Sequence, residues 1–150
     1  MNTALAKYQF HDNLVHGFCF VIEDFISELH IDIDYITQWP SCVAEESENS
    51  TFIISRALLK FHNVTDLIMS IDKGNSGYTT SVSGICIDSI DGEKIETSLK
   101  FPAYYKWEIL MTDERSKILF GASDMSIELL GNSVSVNRQY LTENERNGRR

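Results

Sequence analysis

Histidines and aspartates lie close together in the first quarter of the sequence, where they could ligate a metal ion. His11 and Asp12 are adjacent, and His30, Asp32 and Asp34 follow at alternate positions. A metal site needs three or four converging nitrogen, oxygen or sulfur ligands. The chain has only four histidines, and the second group supplies one imidazole and two carboxylates in a row. The sequence therefore favours a turn at His11-Asp12 and predicts no metal ion, with a metal-dependent protein as an alternative.

The aspartates sit in a segment that alternates apolar and polar residues without a break, from Leu29 to Tyr35. Residues two apart share one face of a strand and lie about 7 Å apart. The odd-numbered residues are therefore expected to face a core, while His30, Asp32 and Asp34 face outward. This pattern predicts an exposed polar face that could bind a partner.

Catalytic motifs are missing from the sequence. It contains no G-x-S-x-G, no phosphate-binding P-loop and no G-x-G-x-x-G. No two carboxylates share an apolar setting of the kind that separates an acid from a base. We therefore predict no catalytic residue, no cofactor and no enzymatic activity.

Aromatic residues in loop contexts are the other binding candidates. Trp39, Tyr78 and Tyr104 fall between strand patterns or at their boundaries. Trp and Tyr are enriched at protein interfaces, where a large ring and a polar tip are both useful. Together with His11, Asp12, His30, Asp32 and Asp34, these three residues complete the predicted binding candidates.

The composition limits the possible partners. The chain has 150 residues, 13 Lys and Arg against 22 Asp and Glu, and a formal net charge of −9. This length suits one domain, and the acidic balance argues against binding to nucleic acid or to an anionic membrane. No apolar stretch is long enough to span a membrane, and the first ten residues lack the apolar core of a signal peptide.

The cysteines indicate a reducing compartment. Cys19, Cys42 and Cys86 are odd in number and widely spaced, unlike a secreted disulfide framework. A cytoplasmic location is expected on this basis. Cys19 and Cys86 lie in apolar strand patterns, so we expect both thiols to be buried.

Short segments with strand periodicity recur along the whole chain. Three turns stand out. Glu23-Asp24 predicts a turn before the alternating segment of Leu29 to Tyr35. Asp91-Gly92, between two apolar runs, predicts a hairpin, and residues 112–115 predict another. About eight or nine strands at regular spacing predict an all-β fold, either a compact antiparallel β-sandwich or a partly open barrel. Residues 1–132 are expected to form this single domain. Large apolar residues become sparse afterwards, so residues 133–150 are expected to be a polar, flexible, disordered C-terminal tail.

Three segments carry a resemblance to known sequences. They are Phe10-His11-Asp12-Asn13-Leu14-Val15-His16-Gly17-Phe18, Leu29-x-Ile31-Asp32-Ile33-Asp34-Tyr35-Ile36-x-x-Trp39 and Leu59-x-Phe61-His62-Asn63-Val64-x-Asp66-Leu67. Over roughly residues 10–72 the chain resembles a group of uncharacterised small bacterial proteins, and the pattern is similar to that of immunity-protein-like families of bacterial toxin systems. The resemblance implies a fold, and it transfers no catalytic residue.

These observations predict a non-catalytic protein-binding domain, an immunity-like antagonist of a basic protein partner. Electrostatic complementarity would speed association with such a partner. A self-associating structural domain, forming a homodimer through open sheet edges, is an alternative.

Overall fold

The structure is a computed structural model that describes residues 8–40, 51–74, 77 and 84–148. Within these residues, eight strands and one short helix make up the regular structure. They are β1 (Leu14–Glu23), β2 (Ile26–Gln38), β3 (Phe52–His62), β4 (Thr65–Ser70), β5 (Ile85–Lys94), β6 (Tyr105–Met111), β7 (Lys117–Ala122), β8 (Asp124–Val136) and α1 (Glu143–Arg146). The all-β prediction is confirmed.

The strands form one antiparallel sheet in the order β4-β7-β6-β5-β1-β2-β3-β8, which is not closed into a barrel. Its two halves, β1-β2-β3-β8 and β4-β7-β6-β5, enclose a shared core. Between the halves, β1 and β5 pair through only two residue pairs, Leu14 with Cys86 and Val15 with Ile85. We call these two residue pairs the seam. Among the described residues, β1 pairs with the other half-sheet only there.

On the opposite side of the core, the chain passes twice from one half-sheet to the other, from β3 to β4 and from β7 to β8. We call this place the corner. Asn63 has a positive φ of 55° and turns the chain from β3 into β4. Ser123 bends the chain in the same place, between β7 and β8. Its amide donates to the His62 carbonyl at 2.9 Å, and its hydroxyl accepts from the Asn63 amide at 2.8 Å. The segment Phe61-His62-Asn63-Val64 therefore forms one side of the corner.

Aromatic rings fill the centre of the core between the two half-sheets. The Phe61 ring of β3 meets Trp107 of β6 at 5.1 Å and Phe120 of β7 at 4.7 Å, both edge to face. Leu29, Ile31 and Ile33 are fully buried beside them, so the alternation of β2 was correctly interpreted for its apolar side.

The predicted hairpin at Asp91-Gly92 is wrong, whereas the hairpin loop at residues 112–115 is confirmed. β5 runs straight through Asp91 and Gly92, which pair with Glu108 and Trp107 of β6. A Cβ on Gly92 would lie 2.9 Å from Cζ3 of Trp107. This glycine makes room for the indole ring and does not form a turn.

Cys19 is exposed, contrary to the prediction, while Cys86 is partly buried. A β-bulge shifts the register of β1 between Val15 and Gly17. Beyond the bulge, Cys19 pairs with His30 on the outer face of the sheet. The apolar run around Cys19 does not reveal which face of the strand the thiol occupies, and Cys42 lies outside the described residues.

The C-terminal segment differs from the flexible tail that its composition predicts. β8 continues to Val136, past the expected boundary at residue 132. Residues 137–148, which we call the strap, then fold back over the outer face of β2 and β3. Leu141 of the strap is 4% exposed and joins Ile36, Ile54 and Val136 in a second, smaller apolar cluster. Leu141 anchors the strap together with Arg146, which bonds Asp32 and Asp34 of β2.

None of the helices in the described residues is long and apolar enough to cross a membrane.

Candidate protein-interaction site

The turn between β1 and β2 presents a phenylalanine to solvent. Glu23 pairs with Ile26, so Asp24 and Phe25 form a two-residue turn, and their φ angles are 49° and 66°. Positive φ at both positions is typical of a type I′ turn, which favours Asn-Gly. The left-handed conformation costs an L-residue about 1–2 kcal/mol. Phe25 is 104% exposed, so burial of its ring does not offset this cost.

Three more apolar side chains are exposed around this turn. Phe20, Ile22 and Ile26 are 49%, 65% and 52% exposed. Phe20 pairs with Leu29 and points to the same side of the sheet as the core, but β5 follows β1 only as far as Val15. The far end of the β1–β2 hairpin thus projects beyond the opposite half-sheet. Phe20 and Ile22 lie on the core side of this end and Ile26 lies on its outer face; we call these three residues and Phe25 the hairpin surface.

A shallow acidic concavity lies on the outer face of the same hairpin. Its volume is about 350 Å³, and it is lined by Val21, Glu23, Asp24, Ile26, Glu28, His30 and Lys60. His30 contacts Glu28 at 2.8 Å, and His62 lies 3.6 Å from it. The hydrogen bond to His30 lowers the pKa of Glu28, while burial opposes the shift and His62 and Lys60 add to it. The concavity therefore combines three carboxylates with the apolar side chains of Val21 and Ile26.

Asp34 is fully buried, contrary to the prediction that it faces water. It lies on the outer face of β2 as expected, but the strap covers it. Its carboxylate accepts from the Leu141 amide at 2.9 Å and bonds the Arg146 guanidinium. The imidazole of His16, which sits in the β1 bulge, contacts Asp34 at 2.8 Å.

Asp32 lies two residues before Asp34 on the same face of β2, and the two carboxylates share the Arg146 guanidinium. Arg56 of β3 also donates to Asp32 at 2.9 Å. Partial burial tends to raise the pKa of Asp32, but the hydrogen bonds from Arg56 and Arg146 outweigh it, so the pKa lies below its ordinary value. Two carboxylates are thus matched by two guanidinium groups, an arrangement suited to stability.

His11 and Trp39 line one pocket of about 460 Å³, together with Tyr8, Gln9, Phe10, Asp88, Ser89 and Ile90. His11 lies 3.5 Å from Asp12 and 3.4 Å from Asp88, at the turn that the sequence predicts. Trp39 packs edge to face on Phe52 at 5.3 Å. Its indole N–H is buried and has no hydrogen-bond partner among the described residues.

Tyr104 is a core residue, not the exposed loop aromatic that was predicted. It is 3% exposed, and its hydroxyl donates to the Asn63 carbonyl and meets the Thr65 hydroxyl, both at 2.8 Å. It braces the corner from inside. Tyr78 lies outside the described residues.

The described residues contain no group of three or more His, Cys, Asp or Glu side chains arranged to hold a metal ion. His30 faces Glu28, His11 faces Asp88, and Asp32 and Asp34 face arginines. The five predicted His and Asp candidates are therefore divided among three places.

Sequence reasoning missed the hairpin surface and Arg146. The turn at Glu23-Asp24 was predicted, but Phe25 and Ile26 looked like the first residues of the next strand. The available signal was a large apolar residue directly inside a two-residue turn. Arg146 gave no local signal, because its partners lie more than 100 positions earlier in the chain.

Comparison with known proteins adds no assignment: no protein-family model matches the chain, and no curated protein matches it.

Proposed function

We propose that this chain is a non-catalytic, immunity-like protein-binding domain that antagonises a basic protein partner through its β1–β2 hairpin. The observation that carries the proposal is the hairpin surface, with a fully exposed Phe25 in a strained turn. Strained backbone persists where the surrounding structure or a function sustains it. Clustered exposed apolar residues are typical of interaction sites.

The charge around the hairpin favours a basic partner. Residues 1–131 carry nine Lys and Arg against twenty Asp and Glu, a net charge of −11. Glu23 and Asp24 directly precede Phe25, and both line the concavity together with Glu28. An apolar anchor beside carboxylates complements an apolar pocket with Lys or Arg at its rim. Such an arrangement steers association by charge and retains the partner by burial.

Site-specific photo-crosslinking in the source cell tests the proposal. A benzophenone amino acid replaces Phe25 in one variant and Tyr140, an exposed aromatic residue of the strap, in a matched control. We expect one protein to be crosslinked from position 25 and not from position 140. Its adduct should weaken when Glu23 and Asp24 are both changed to Lys, and the captured protein should present clustered Lys or Arg.

The proposal fails if position 25 yields no adduct above that of position 140. It also fails if the adduct forms equally well after charge reversal, since charge complementarity would then have no part in binding.

Strand β4 favours self-association as a second candidate function. It is the terminal strand of the sheet order, and Ile68 and Met69 are 63% and 38% exposed. No charged residue occurs between Asp66 and Asp72. Exposed apolar edge strands are prone to pair with another strand. Light scattering of the Ile68→Lys variant should show loss of any dimer that the unmodified chain forms, and a concentration-independent monomer in the unmodified chain would reject this candidate.

A further inference from the structure

The strap touches the sheet mainly through two side chains. Leu141 is buried in the second apolar cluster. The Arg146 side chain is 8% exposed and bridges Asp32 and Asp34. These contacts lie five residues apart on the strap, and both reach the part of β2 that holds Asp34.

The strap also has contacts within itself. Thr142 and Glu145 form a capping box at the start of α1, and Arg138 pairs with Glu145. With four residues, α1 is far below the roughly 12–15 residues that an isolated helix needs. The strap therefore depends on the sheet for its order, while its internal contacts hold it together as one piece.

Space remains between the strap and its neighbouring strand. A pocket of about 400 Å³ lies there, lined by Gly131, Asn132, Ser133, Val134, Ser135, Glu145, Arg146 and Gly148. Core packing normally leaves few voids larger than a water molecule. The strap is thus fastened at Leu141 and Arg146 but is not sealed along β8.

We propose that residues 137–148 open and close as a unit on an otherwise folded sheet, with the Arg146 guanidinium as the fastening group. Opening uncovers Ile36, Ile54 and Val136 as an apolar strip. It removes two of the three groups that bond Asp34 in the described structure, the Leu141 amide and Arg146, and leaves His16. Burial of Leu141 against this strip and the charge-assisted bonds of Arg146 to Asp32 and Asp34 keep the closed state dominant. This inference stands independently of the proposed function.

Hydrogen exchange of the full chain, read by mass spectrometry, tests the strap. The Leu141 amide donates to Asp34, and those of Arg146 and Asn147 donate within the strap. These three amides should exchange together and faster than those of β2, β3, β6 and β7. Arg146→Ala should speed exchange of the strap by at least about tenfold, a loss of about 1.4 kcal/mol, while β6 and β7 remain more strongly protected than the strap. Lys60→Ala removes a surface ion pair with Glu128 and should leave the strap unchanged.

Chemical rescue tests the guanidinium itself. Millimolar N-ethylguanidinium added to the Arg146→Ala variant should restore slow exchange of the strap, whereas N-ethylammonium at equal ionic strength should not. Guanidinium can bond two carboxylates through its planar fork, and ammonium cannot. Absence of this difference would reject Arg146 as the fastening group. Exchange of the strap only together with the core, in the unmodified chain and in Arg146→Ala, would overturn independent opening.

Discussion

Arg146 bonds the fully buried carboxylate of Asp34 across 112 positions of sequence. The contact joins the last helical turn of the described chain to the second strand. It determines the burial of Asp34, because the strap supplies both the charge partner and the cover over the carboxylate. Removing a single partner of a buried ion pair is strongly destabilising, since it leaves the other charge buried and uncompensated.

Asp34→Asn should therefore lower the free energy of unfolding by about 3 kcal/mol, the lower end of the range for a broken buried pair. Asp32→Asn should cost less, because the Asp32 side chain is 23% exposed and water can replace part of its bonding. Urea denaturation followed by circular dichroism measures both. Equal losses in the two variants would contradict the assigned difference in burial.

Gly92→Ala should destabilise the fold by about 1–3 kcal/mol, the usual cost of overpacking a core. The added methyl group would press on Trp107, whose ring atoms lie 2.9–3.1 Å from the Cβ position. Gly17→Ala is the matched control, since a Cβ there meets no atom within 4 Å. Denaturation midpoints and the near-ultraviolet circular dichroism of Trp107 report the change, and similar values for both variants would argue against the packing role of Gly92.

Tyr104→Phe should cost about 1 kcal/mol, because the half-buried Asn63 carbonyl and the Thr65 hydroxyl lose the buried Tyr104 hydroxyl as a partner. Tyr140→Phe, at an exposed site, should have little effect. Thermal unfolding of the two variants makes the comparison. A Tyr104→Phe variant as stable as the unmodified chain would show that the hydroxyl does not brace the corner.

Asp113 should make stability depend on pH in acid. Amide hydrogen bonds from Ser116 and Arg115, with the Ser116 hydroxyl, lower the pKa of Asp113 from 3.8 to about 2. Because the folded state binds the proton more weakly than the unfolded state, the stabilisation is complete above pH 3.8 and is lost as pH falls toward 2. The urea concentration at the unfolding midpoint should therefore fall less steeply between pH 3.8 and about 2 in Asp113→Asn than in the unmodified chain. Equal slopes in the two proteins would refute this contribution of Asp113 to stability.

Phe25→Gly should raise stability and weaken partner binding. Glycine adopts positive φ without the steric cost that Phe25 bears, about 1–2 kcal/mol. The melting temperature should rise, while crosslinking from a benzophenone at position 22 should fall. Leu129→Gly, at another exposed apolar position, should not raise the melting temperature. A Phe25→Gly variant that binds normally would remove Phe25 from the interaction.

Local periodicity predicted much of this fold. The alternation in β2 and the loop at residues 112–115 are signals carried by neighbouring residues, and both were correctly interpreted. The burial of Asp34 was not predictable in this way, because the covering residues come from the strap. Gly92 was misread for a related reason: a glycine that accommodates a distant indole looks, in sequence, like a glycine that turns the chain.

For the candidate site too, local features were predictable from the sequence and features set by distant residues were not. Acidity and the missing catalytic motifs were visible in the composition, and the turn at Glu23-Asp24 in the local sequence. The exposure of Phe20 depends on where β5 leaves β1, which only the assembled sheet reveals. His11 and Trp39 share a pocket because residues 8–13 pass beside β5, a route that spacing alone does not specify.

The corner and the seam give the molecule unequal mechanical resistance on its two sides. At Asn63 and Ser123 the half-sheets are joined by continuous backbone, so separating them there would require unfolding whole strands. At the seam, the pairing of β1 with β5 holds them through two residue pairs. Opening of the core by heat or pressure should therefore begin with β1 parting from β5, and water should reach the ring of Trp107 from that side before the strands around the corner separate.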